Sequence, residues 1–198
     1  MMKRRFLVLA PAGLAGCSIL PQQKYIARTD WPLDPAPPMN AVPNPAGKVV
    51  LLRALDAGPG MDDEGIKSLR ADGSLNTSYY NRWAVAPSDA ATQALGEWLT
   101  ASGDFSAVVA PGSRLSADLI LEGELTELVS DLGAAQARAV LTLVVINNAG
   151  LTTRPLAQQR ITGTAPNAGS DATAEVTAQR AALADALRQA VALVARFS

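Results

Sequence analysis

The stretch Ala139-Val140-Leu141-Thr142-Leu143-Val144-Val145-Ile146 is apolar at both odd and even positions. Side chains along a strand point alternately to its two faces, so such a run fits a central strand covered on both sides. Asn147-Asn148-Ala149-Gly150 follows as a turn, and Gln158 to Thr164 returns as a polar strand nearer an edge. Upstream, Leu119, Leu121 and Leu125 alternate with charged residues along another strand, in which Gly123 suggests a bulge. Downstream, Ser170 and Asp171 open a helix running towards Arg196, with Val176, Leu183, Leu187, Val191 and Val194 on one face. Its alanine-rich stripe is broad and its polar face holds few lysines, so it should cover the domain's own sheet rather than a membrane.

Working back towards the start, Val49 to Leu52 reads as a buried strand, followed by the turn Gly58-Pro59-Gly60. Ile66 to Arg70 and Leu75 to Trp83 read as strands around the turn Asp72-Gly73. Pro87-Ser88-Asp89 supplies an N-cap for a helix with Ala91, Leu95, Trp98 and Leu99 on one face, stopping at Ser102-Gly103. Phe105 to Ala110 is one more strand. The fold class is therefore α/β in the α+β sense, a compact mixed sheet of about six strands packed by two main helices.

The globular domain is expected over residues 48–198. Before it, seven of the 13 prolines fall between Ser18 and Gly47 without a hydrophobic period, which reads as a tether over residues 17–47. Within it, Lys24 to Arg28 could return to the body as a short strand. Residues 1–16 have the build of a signal peptide: a cationic start, Met1 to Arg5, then an apolar stretch, Phe6 to Ala15. That stretch is too short to span a bilayer, which takes about 20 residues. It closes on Leu14-Ala15-Gly16-Cys17, a lipobox whose thiol is the only cysteine of the chain. The expected modification is a covalent diacylglycerol and an N-acyl chain on Cys17. Stable anchoring takes more than one acyl chain, because a single chain holds only marginally.

Composition removes several function classes. Seventeen basic residues face 18 acidic ones, and losing Lys3, Arg4 and Arg5 with the signal leaves 14 against 18, a net charge of -4. No basic stripe survives to bind nucleic acid. The chain has no histidine, and so lacks the commonest general base and metal ligand. No catalytic residue, metal site or further cofactor is expected. Ser88-Asp89 lacks both an imidazole and a glycine-flanked elbow. Glu122, Glu124 and Glu127 read as a solvated strand face, and Asp62, Asp63 and Glu64 lack calcium-loop spacing.

The most individual segment is Tyr79-Tyr80-Asn81-Arg82-Trp83-Ala84 ahead of Pro87. Tyrosine, arginine and tryptophan are enriched at binding hot spots, so Tyr79, Tyr80, Arg82 and Trp83 form a candidate partner surface. The structural reading set beside it, and preferred, has Trp83 filling the gap between strand and helix with Arg82 covering it.

The lipobox, the glycine-proline turn, Arg82-Trp83-Ala84 with Pro87, and Phe105-Ser106-Ala107-Val108 occur in an order that resembles the auxiliary lipoproteins of bacterial ABC-type lipid transport systems, the group of the paraquat-inducible protein C. The resemblance implies an anticodon-binding-domain-like fold and a non-catalytic subunit. It implies work with an MCE-domain protein, a permease and an ATPase, and possible rings of copies. By similarity to bacterial lipoproteins in general, Ser18 after the lipid-bearing cysteine implies the periplasmic face of the outer membrane. A periplasmic lipid-binding carrier is the alternative.

Overall fold

The computed structural model describes residues 25–38, 40–150 and 152–198, so the expected signal peptide and Cys17 lie outside the described residues. Three long strands, β7 (Leu119–Asp131), β8 (Gln136–Asn147) and β9 (Arg154–Pro166), form an antiparallel meander. The 139–146 run lies in β8 and is hydrogen-bonded on both edges, while β9 is an edge strand. One face of β8, the row Ala137, Ala139, Leu141, Leu143 and Val145, is fully buried. Helices α1 (Pro87–Ser102) and α2 (Ala172–Ala195) pack against each other, and α2 lies along β8 and β9.

The second face of β8 departs from expectation. Thr142, Val144 and Ile146 are only half-buried there. The register sets Val144 between Glu122 and Gln158, and Thr142 between Glu124 and Arg160. Polar side chains on the neighbouring strands flank that face, and this cannot be read from the run itself.

Along its other edge β7 takes three short parallel strands in succession: β2 (Val49–Leu52), β3 (Asp56–Ala57) and β4 (Gly65–Leu69). The sheet forks here. Beyond β2 lies β6 (Ala107–Val109), in parallel; beyond β4 lie β5 (Leu75–Trp83), antiparallel, and then β1 (Thr29–Trp31), parallel to β5. Among the described residues nine strands thus stand where about six were expected. Strands as short as β1 and β3 carry no hydrophobic period to reveal them.

Gly123 is not the bulge. The register of β7 slips between Leu125 and Glu127, leaving Thr126 as the extra residue. Gly123 is instead a close approach, where a Cβ would lie 2.1 Å from the carbonyl oxygen of Thr142. The start of α1 is likewise corrected. Ala86 is the N-cap and makes no side-chain bond, Pro87 opens the helix, and Ser88 is buried inside its first turn. Proline's fixed φ suits that first position, so no polar cap is needed to set it. Helix α2 starts as expected, with Asp171 Oδ1 accepting from the backbone N–H groups of Thr173 and Ala174, both at 3.0 Å.

The expected boundary at Lys48 falls inside packed chain. Residues 25–28 form no strand, but from Thr29 the chain joins the sheet through β1 and then straps across α1. Leu33 and Pro35 are buried, and the Trp98 indole Nε1 donates to the Pro35 carbonyl at 2.7 Å. Arg180 donates through Nε to the Pro32 carbonyl at 2.8 Å, and the N–H of Ala41 to the Ala101 carbonyl at 2.8 Å. Isolated anchor residues hold this strap, so its proline-rich composition alone reads as a tether.

Candidate functional site

The four candidate surface residues separate in the fold. Trp83 closes β5 with 1% of its surface exposed and belongs to the core, so it offers nothing to a partner. Arg82 forms an ion pair with Glu64 and is half-buried. Tyr79 and Tyr80 are exposed, by 65% and 41%.

A local irregularity presents both tyrosines. Between the pairs Gly65↔Arg82 and Lys67↔Thr77, β5 advances five residues against two on β4. Extra residues in one strand re-aim its side chains. The two rings meet edge to face at a centroid distance of 5.1 Å, and the Arg28 guanidinium carbon stands 4.2 Å from the Tyr79 ring centroid. Tyr25 and Ile26, just ahead of Arg28, are exposed by 91% and 57%. The result is an exposed aromatic pair with one cation over a ring face.

The acidic loop beside it is a folded turn. Asp63 Oδ1 accepts from the N–H of Gly65 at 2.6 Å. The buried ammonium of Lys67 donates to the carbonyls of Asp63 and Gly65 at 3.1 and 3.3 Å. Burial lowers the Lys67 pKa, against the opposing pull of Asp63 and Asp62. Three carboxylates of β7 also have arginine partners: Glu122 pairs with Arg53 at 3.1 Å, and Arg138 lies between Glu127 at 2.8 Å and Asp131 at 3.1 Å. Among the described residues no cluster of histidine, cysteine, aspartate or glutamate is arranged to hold a metal.

A second feature was missed from sequence. A predominantly apolar groove of about 720 Å³ lies between α1 and β6, with Leu52, Val108 and Val109 on the strand side and Gln93, Gly96 and Thr100 on the helix side. Gly96, with no side chain, leaves room in its wall. Strand β6 pairs only with β2, so its second edge carries no strand among the described residues. The outward face of α1, small and weakly polar around Gly96, was the available signal. Nothing local in the sequence says that β6 would lie opposite it.

Among the described residues no helix is long and apolar enough to cross a membrane. No curated protein matches the chain. Among solved structures, the fold is similar to protein XCC0632 of Xanthomonas campestris, given as family DUF330, at a TM-score of 0.68 and 20% identity over 85% of this chain and 95% of that one. It is also similar to the hypothetical protein CT253 of Chlamydia trachomatis, at a TM-score of 0.53 and 12% identity over 76% of this chain and 96% of that one. At such identities the likeness is one of fold. The family model described as the ABC-type transport auxiliary lipoprotein component matches residues 32–191, beginning in the strap and ending in α2. The chain therefore belongs to the ABC-type transport auxiliary lipoprotein family, whose name associates it with an ABC transport system.

Proposed function

We propose that this protein is a non-catalytic docking subunit of an MCE-linked lipid transport system, held at the periplasmic face of the outer membrane by the diacylglycerol and N-acyl chain of Cys17. Its partners in this reading are the MCE-domain protein and, through it, the permease and ATPase. The observation that carries the reading is the α1–β6 groove beside a strand edge that is unpaired among the described residues. An extended segment can bond its backbone to such an edge while its side chains enter the apolar groove, and this mode needs no reactive group. The arginine partners of Glu122, Glu127 and Asp131 support the same view, since these carboxylates are engaged in structural pairs.

Pull-down of the MCE-domain protein from the same organism tests the proposal. Wild type should capture it, while Val109→Glu, which sets a charge in the groove wall, should lose capture with melting little changed. Absence of capture by folded wild type would remove the docking role. The apolar lining of the groove also suits the carrier alternative. That reading predicts a retained lipid in native mass spectra of membrane-purified protein, and the same spectra report any ring of copies.

A further inference from the structure

The described chain begins at Tyr25, eight residues after Cys17. At roughly 3.5 Å per residue, eight residues reach no further than about 28 Å even when fully extended. If Cys17 carries acyl chains, the face where Tyr25 leaves the body is therefore confined near the bilayer. Arg28 stands over the Tyr79 ring, which meets Tyr80, and both tyrosines are exposed, as are Tyr25 and Ile26, three and two residues ahead of Arg28. Two exposed tyrosines at a strand irregularity, close in the chain fold to Arg28 and the entering segment, have the chemistry of a membrane–water interface. Such rings place an apolar body among acyl carbons and a hydroxyl among headgroups. We infer that this patch is a membrane-seating surface, which rests in the headgroup layer of the bilayer that anchors Cys17 and so fixes the orientation of the domain. The inference rests on the anchoring proposed above.

The charges select the lipid. Arg28 stands over Tyr79, while Asp62, Asp63 and the ion pair of Arg82 with Glu64 line the same surface hollow as that ring. There is no net positive charge to attract anionic lipid, so the surface suits a zwitterionic bilayer. The seating also leaves the groove free. β6 flanks the β2 end of β7 and the patch flanks the β4 end, separated by about nine residues of β7, or roughly 30 Å at ~3.3 Å per residue.

Because Cys17 is the only cysteine, the lipidated protein has no free thiol, and Ala27→Cys or Ser116→Cys gives a single labelling site. Both positions are exposed, Ala27 beside the patch and Ser116 just before β7. The experiment reconstitutes the full mature lipoprotein, labelled at one site with an environment-sensitive fluorophore, into phosphatidylethanolamine and phosphatidylcholine vesicles containing brominated phosphatidylcholine. Intact mass is measured on the same samples. The expected result is a lipidated mass and bromine quenching severalfold stronger at position 27 than at 116, a difference that Tyr79→Ser with Tyr80→Ser reduces. A lipidated protein quenched equally at both sites, as when position 27 faces another copy or a protein partner, overturns the seating while leaving the anchor intact. An unmodified Cys17 overturns the anchor, and the seating with it.

Discussion

At Gly163 a Cβ would lie 2.2 Å from the carbonyl oxygen of Ala182 and 2.3 Å from the amide nitrogen of Ala186, both backbone atoms of α2. Neither can yield unless the helix shifts on the sheet. Gly163→Ala should therefore cost on the order of 3 kcal/mol by overpacking, seen as a lower denaturant midpoint with an unchanged slope. Trp83 poses the opposite case, because removing a ring that is 1% exposed leaves a cavity. Trp83→Ala should cost roughly 3–5 kcal/mol and lower the melting temperature by on the order of 10 °C. A Trp83→Ala protein with unchanged melting and lost partner capture would restore Trp83 to the surface set. The sequence placed Trp83 between a strand and α1, which follows from its position before Pro87. It could not separate Tyr79 and Tyr80 from Trp83, because the irregularity in β5 depends on how that strand meets β4.

Elements with a sustained period were legible: β8, β7, β9, α1 and α2 follow from alternation or helical spacing. The strap and the shortest strands were not, since they are held by bonds such as that from Trp98 to Pro35, 63 residues apart. Helix α2 also carries a testable electrostatic cost. Glu175 sits in its first turn but is nearly buried, and that burial, aided by the charge of Asp171, raises its pKa to about 6 from the ordinary 4.5. The helix dipole, worth about 0.3–1 kcal/mol there, is outweighed by the loss of hydration. Between pH 4.5 and about 6 the folded state binds more protons at this site than the unfolded state, so its contribution to stability falls as pH rises. Above about 6 the full penalty applies, at most ~2 kcal/mol for a shift of this size. Glu175→Gln should raise stability at pH 7.5 by about 1–2 kcal/mol and flatten its fall between pH 4.5 and 6. Denaturant titrations of both proteins across that range would show it, and parallel pH profiles would refute it.

In the whole molecule, the fork of the sheet along β7 separates two surfaces. The chain enters beside β5, where the tyrosines lie, and the groove opens beside β6 at the other end of β7. The order of motifs along the chain pointed to the lipoprotein family that the family model over residues 32–191 shows. The groove stayed hidden because its walls come from the strap, β2, α1 and β6, which only the tertiary fold brings together. On the proposed reading, the body is tied to lipid at one end and open to a protein at the other. Flotation tests it most directly: vesicles bearing the lipidated protein are mixed with the soluble MCE-domain protein and centrifuged through a density step. The MCE-domain protein should rise with vesicles bearing wild type and stay behind, at least about tenfold depleted, with Val109→Glu. If it remains at the bottom with wild type, while the lipoprotein itself floats, the docking account is contradicted.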